Sequence, residues 1–141
     1  MSTDTATADA DTTAYEELLS RYERISSLQS AQGVLSWDQQ VTMPERGTPA
    51  RSKELSTLSS LEHELLTDNE TADLLDAAEA AALDDEQAAV VREIRRDYER
   101  ADAVPQSLVE EISETSTEAL GAWEEAKADD DFETFAPYLE E

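Results

Sequence analysis

Apolar residues recur along this chain at steps of three and four, the spacing that gathers side chains on one face of an α-helix. Tyr15, Leu18, Leu19, Tyr22, Ile25 and Leu28 form the first stripe, with Glu16, Glu17, Glu23 and Arg24 largely off it. The stripe runs on toward Leu35 and Trp37, and Gly33 falls inside it and weakens that last turn. Ahead of it, residues 1–13 are Met, Ser, Thr, Asp and Ala only, which reads as a disordered acidic, Thr-rich tail.

The segment from Val41 to Gly47 breaks the pattern, because Pro44 disfavours helix at Met43 and Gly47 permits a turn. Thr48-Pro49 predicts a new start, with Thr48 as N-cap and Pro49 at the first helical position. Leu55, Leu58, Leu61 and Leu65 make the stripe of this second helix, with Leu66 beside it. Thr67-Asp68-Asn69 stops it and caps a short third helix through Leu74 and Leu75 to about Ala82. Asp84 caps a fourth, whose stripe is Val90, Val91, Ile94 and Tyr98. Pro105 opens a fifth carrying Leu108, Ile112, Ala119 and Trp123. Asp129 to Asp131 cap a sixth with Phe132, Phe135 and Leu139, in which Pro137 fits only the first turn or a kink. No stretch alternates with period two, and no repeat of solenoid length appears. The expectation is an all-α fold of five to six helices that become stable by packing their stripes together. The chain stops at Glu141, just after an apolar-periodic segment and without a C-cap signal, which reads as a cut.

Composition narrows the functions available. The 141 residues suit one ordinary domain, and 35 acidic against 10 basic side chains leave a formal charge of −25. So negative a chain is a poor partner for nucleic acid or an anionic membrane, both polyanions. Without Cys there are no disulfides, thiol nucleophiles or Cys-based zinc sites. No apolar run approaches the roughly 20 residues of a membrane span, and no secretory signal opens the chain. The expectation is a soluble, cytoplasmic protein. Its acids spread from Asp4 to Glu141, and Lys occurs only at Lys53 and Lys127 against eight Arg. That distribution reads as a solvated, halophilic-type surface, since salt shortens the range of carboxylate repulsion to about 3 Å at 1 M from about 10 Å at 0.1 M. The competing reading is an acidic mimic that binds a basic partner.

Few residues carry a specific chemical signal. The only His, His63, precedes Glu64 and so matches the first half of the zinc motif H-E-x-x-H. That motif needs a second His four residues on, where this chain has Thr67, a poor zinc ligand. His63 therefore reads as a surface or interface His beside the Leu stripe. Pairs such as Glu110-Glu111, Glu124-Glu125 and Asp84-Asp85 carry little information among 35 acids. No G-x-S-x-G elbow accompanies any Ser, and Gly33, Gly47 and Gly121 are isolated, so no phosphate loop exists. Arg92, Arg95, Arg96 and Arg100 read as partners for Glu93, Asp97, Glu99 and neighbouring helices rather than as an anion site. Trp37, before Asp38, reads first as a core Trp and second as a residue at the mouth of a cleft.

At that segment the chain resembles a known family. Leu35-Ser36-Trp37-Asp38-Gln39-Gln40-Val41-Thr42-Met43-Pro44 is similar to an N-terminal signature of the carboxypeptidase Taq family of metallocarboxypeptidases. The likeness continues through Arg51 to Leu58, resumes at Arg92 to Ala101 with Val104-Pro105, and ends with Ala122 to Lys127 and Asp131 to Leu139. It spans residues 14–141, in order and spacing. The resemblance implies an all-α peptidase, a homodimer, that uses zinc or cobalt to remove C-terminal residues from peptides. The metal activates water and polarises the scissile carbonyl, with a Glu as general base. The family's H-E-x-x-H and its later Glu ligand lie downstream of the matched region. This chain then corresponds to the N-terminal helices that border and partly cover the cleft. No family catalytic, cofactor-binding or metal residue falls on any position present, so none is expected in this chain, and the piece alone is expected to be inactive. The alternative is a stand-alone acidic helical interaction module without catalysis.

Overall fold

The computed structural model describes the backbone of residues 4–139 and the side chains of residues 13–139. Five α-helices follow one another: α1 (Asp4–Val41), α2 (Thr48–Thr67), α3 (Asn69–Ala80), α4 (Asp85–Asp102) and α5 (Gln106–Asp129). Short 3-10 helices occupy Glu45–Gly47, Phe132–Thr134 and Ala136–Leu139, and no strand occurs among the described residues. The all-α expectation holds. The chain divides into two units that interleave in sequence. One comprises Met1–Ser27 with Glu62–Pro105, the other Leu28–Leu61 with Gln106–Glu141, so α1 and α2 each contribute to both.

The first unit is built as the periodicity predicts. Leu18 of α1, Leu75 and Ala78 of α3, and Val91 and Ile94 of α4 are its buried centre. Tyr15, Leu19, Tyr22, Leu74, Val90 and Tyr98 pack around them. Each such Leu, Ile or Val contributes about 1.5–3 kcal/mol by leaving water. The Asp68 carboxylate accepts from Thr71 N at 2.9 Å and caps α3. Asp84 and Gln87 exchange bonds of 2.8 and 3.1 Å in a capping box that starts α4. Set in this core is Arg21, only 8% exposed. It donates to the Thr71 hydroxyl at 2.5 Å, to Glu70 at 2.6 Å and to Asp68.

The second unit packs differently. The buried side of α2 is Ser52, Leu55 and Ser56, continued by half-buried Ser59 and Ser60. These hydroxyls face α5: Ser60 donates to Glu110 at 2.7 Å, and Ser59 lies 3.3 Å from the Ser113 hydroxyl. Gln39 of α1 is buried and donates from Nε2 to the Thr117 carbonyl at 3.1 Å. At the other end of α5, a Cβ on Gly121 would lie 2.9 Å from Thr48 Cγ2. Absence of that carbon is what lets α5 approach the start of α2 so closely.

Several expectations are corrected. α1 begins at Asp4, so residues 4–13 are helical rather than a disordered tail, while residues 1–3 of that segment lie outside the described residues. Once a helix is nucleated, each further residue adds a hydrogen bond, and the Ala residues there extend it readily. Thr48 is not an N-cap: its backbone is already helical (φ −51°, ψ −48°), and its hydroxyl donates back to the Glu45 carbonyl at 3.1 Å. The 3-10 turn at Glu45–Gly47 runs straight into α2, leaving no extended residue to cap it. The sixth helix is two 3-10 turns, consistent with Pro137 denying α-helical continuation. On α2, Leu61 is 44% exposed while Ser52 and Ser56 are buried. On α5, Leu108, Ile112 and Trp123 face solvent, and Thr117 and Ala126 are the buried positions. In both helices the small polar residues took the packed side because they permit a closer approach of neighbouring backbones.

Candidate functional site

The segment Leu35–Pro44, where the sequence carries its most specific signal, ends α1 and turns toward α2. Its residues divide by the direction each faces. Gln39 points inward to α5, as described. Asp38 faces α2, where Arg51 Nη2 donates to its carboxylate at 2.7 Å. The same guanidinium donates from Nη1 to the Leu35 carbonyl and from Nε to Glu54 at 3.0 Å. Arg51 thereby ties the last turns of α1 to the first turns of α2. Behind it the chain folds tightly: Thr42 N and Met43 N each lie 2.9 Å from the Asp38 carbonyl, closing the helix. The Thr42 hydroxyl, which donates to the Asp38 carboxylate, and then Arg51 hold that carboxyl below its ordinary range.

Trp37 is the exception, 60% exposed on the outward side of α1. It is not the core Trp that was the first expectation. Its neighbours in phase, Val34 and Val41, are equally bare. The second Trp, Trp123, sits on α5 edge-on to Phe135 with ring centroids 5.2 Å apart. With Ser116, Ala119 and Leu120 this pair lines a shallow, largely apolar hollow of about 550 Å³. A hollow of about 620 Å³ beside it in the same unit is rimmed by Glu45, Arg46, Glu118, Glu124, Glu125 and Tyr138.

His63 has a structural place. Its Nε2 lies 2.9 Å from the Ala101 carbonyl and 2.8 Å from that of Val104, so it donates to the carbonyls where the chain leaves α4. Nδ1 is buried without a partner. Thr67, four residues on, turns its hydroxyl back to the His63 carbonyl at 2.8 Å. With the proton on Nε2, the lone pair of the ring is on Nδ1, which is enclosed. Among the described residues no three His, Cys, Asp or Glu side chains come together as a set that could hold a metal ion.

Three of the four arginines of the α4 cluster, Arg95, Arg96 and Arg100, form ion pairs. Arg95 reaches across to Asp76 at 2.5 Å and Glu79 at 2.8 Å on α3, Arg96 pairs with Glu93 at 2.5 Å, and Arg100 lies 4.0 Å from Asp97. Neither Arg21 nor Arg51 belongs to a chemical motif in the sequence. Arg21 carried a usable signal, since it lies three residues after Leu18 and four before Ile25, in phase with the apolar stripe. Arg51 opens one of the family-like segments, but nothing in the sequence marks its ion pairs, because its partners are set by the turn at Met43–Gly47.

A sequence model of the carboxypeptidase Taq (M32) metallopeptidases matches residues 9–141. The chain is 40% identical over 126 residues to thermostable carboxypeptidase 1 of Pyrococcus furiosus, an alignment covering 89% of this chain and 25% of that protein. Against thermostable carboxypeptidase 1 of Thermus thermophilus it is 36% identical over 130 residues, with 89% and 26% covered. The BsuCP crystal structure superposes with a TM-score of 0.84 at 27% identity, over 90% of this chain and 26% of that one. The chain belongs to the carboxypeptidase Taq metallopeptidase family, and it spans about a quarter of the length of the curated relatives it matches. Among the described residues no helix is long and apolar enough to cross a membrane.

Proposed function

We propose that this chain is the N-terminal helical part of a metal-dependent carboxypeptidase that releases C-terminal residues from peptides. The observation that carries this reading is the family match over residues 9–141, set against coverage of only a quarter of the relatives' length. On this reading the metal ligands and the general base belong to the remaining three quarters, and these helices border the cleft. The metal is zinc or cobalt, and the whole enzyme is a cytoplasmic homodimer acting on peptides, with no nucleic-acid or membrane partner. For these finer points the support is the family resemblance and the charge of −25.

The test starts with the intact mass of the protein made from its native locus. A mass several times 15.6 kDa is expected, together with release of C-terminal residues from an N-blocked peptide that a chelator stops and added zinc or cobalt restores. A mass near 15.6 kDa with no release would overturn the reading in favour of a helical interaction module. The exposed side chains of Trp37, Leu108, Ile112 and Trp123 favour that second reading in this event.

A further inference from the structure

We infer that the outward face of α1 around Gly33, Val34, Trp37 and Val41 is a packing surface for a helical segment of the longer polypeptide outside residues 1–141. The inference rests on the reading that the chain is the first part of a longer enzyme. Three observations carry it.

The first is charge. Charged residues make up 32% of the chain, yet Leu28–Met43 contains one, Asp38, which Arg51 neutralises. A protein that solvates its surface with carboxylates has left one helix face without them. The second is exposure. Val34, Trp37 and Val41 are 66%, 60% and 60% exposed at positions i, i+3 and i+7, while Gln39 on the opposite side is buried. The third is Gly33. A Cβ built there meets nothing within 4 Å, so no contact in this chain calls for glycine. Glycine inside a helix costs roughly 0.5–1 kcal/mol relative to Ala. Its benefit then lies in what approaches from outside, a second helix axis at the short end of the usual 8–10 Å separation. Gly121 shows the same device satisfied within the chain, with Thr48 against it.

Area selects the occupant. The bare parts of Val34, Trp37 and Val41 amount to a patch on the order of 350 Å². A stable complex of separate molecules buries about 800 Å² on each partner, so this face alone does not hold a second copy. A tethered segment needs far less, because covalent linkage supplies an effective concentration in the millimolar range. Relatives about four times longer provide such a segment. Its chemistry follows from the face it meets: an apolar, uncharged helix side that needs no basic rim.

Val34→Cys and Glu23→Cys, made separately in the polypeptide translated from the native locus, test this by native-state thiol labelling against the parent protein. Glu23 is an exposed α1 residue on the same side but about 16 Å nearer the N-terminus, outside the uncharged stretch. Labelling at position 34 is expected to be roughly tenfold or more slower than at 23, and independent of protein concentration. Equal rates would overturn the inference. So would protection that disappears on dilution, which would assign the face to a second copy. Should Val34→Cys fail to fold by far-UV circular dichroism, Val41→Cys takes its place. Chelator-sensitive peptidase activity on the same samples reports on the enzyme reading separately. Protection without activity would sink the enzyme and keep the packing surface, and activity without protection would do the reverse.

Discussion

Arg21 is the least expected charge in the molecule, and replacing it with Met isolates what it contributes. Met keeps most of the stem that lines the core of the first unit and removes the guanidinium alone. Three interactions are lost. The bond to Thr71 is the most enclosed, because Thr71 is 1% exposed, and a contact of this kind is worth about 1 kcal/mol net. Asp68 and Glu70 are 36% and 70% exposed, so solvent screens both, and together they contribute at most about 1 kcal/mol. Against these stands the recovered cost of burying the cation, which in other proteins has reversed the sign. Thr71 is not orphaned, since its hydroxyl still donates to the Leu65 carbonyl at 2.7 Å. Set against a gross loss of about 1–2 kcal/mol, that recovery leaves an expected net loss of about 1 kcal/mol, or a fall in Tm of roughly 4 °C. Thermal unfolding of the 141-residue chain, followed by circular dichroism in 0.1 M and 1 M KCl, measures it. The loss from Arg21→Met should survive 1 M salt, because enclosed contacts are poorly screened. Arg95→Ala provides the contrast, since its partners Asp76 and Glu79 are 73% and 44% exposed and its smaller effect should fade with salt. An unchanged or raised Tm for Arg21→Met would refute the reasoning and show the buried cation to be a net cost.

Other outcomes follow from the same geometry. Leu75→Ala, at a fully buried position, should cost about 2–5 kcal/mol in chemical denaturation, and a loss under 1 kcal/mol would deny the cavity. Gly121→Ala should lower Tm, because the new carbon meets the Thr48 side chain at 2.9 Å and a β-branched residue yields little; a raised Tm would mean that α5 can move aside. Burial, then the bond to Asp97, pushes the Tyr22 phenol up to about 12. Its folded pKa exceeds the unfolded value of 10.0, so its stabilisation is complete below pH 10 and is lost as pH rises toward 12. Ultraviolet titration should show a tyrosine ionising late in the parent and absent in Tyr22→Phe. Added KCl should raise the Tm of the parent chain, given its charge of −25, whereas a Tm falling with salt would favour an acidic binding mimic.

The sequence made the first unit legible and the second largely not, for a physical reason. The stripes Leu18–Ile25 and Val91–Ile94 and the caps Asp68 and Asp84 announce themselves because large apolar residues and capping carboxylates do one thing each. In the second unit the buried positions are mostly small or polar, Ser52, Ser56, Gln39, Thr117 and Ala126, with Leu55 the one large apolar side chain among them. Small hydroxyls read as surface residues until a partner helix is known to lie against them. The exposed Leu108, Ile112 and Trp123 misled in the opposite sense, since an apolar stripe says that a face is to be covered without saying by what. The segment Leu35–Pro44 stood out in the sequence through its resemblance, yet the division of labour among Trp37, Asp38 and Gln39 needed the geometry of Arg51 and α5.

The interleaving of the two units bears on how the chain is made. The first unit closes only when Pro105 has been added, by which time residues 28–61 have already been synthesised. Their partner segment starts at Gln106, forty-five residues after Leu61. At roughly 5–20 residues per second this half of α1 and α2 waits on the order of 2–9 s on the ribosome for α5. During that interval its serine-lined side has no helix to meet, and hydroxyls in place of large apolar side chains keep that side from recruiting the wrong one. Packing with hydroxyls thus gives vectorial synthesis a quiet intermediate where a leucine zipper would have offered a sticky one.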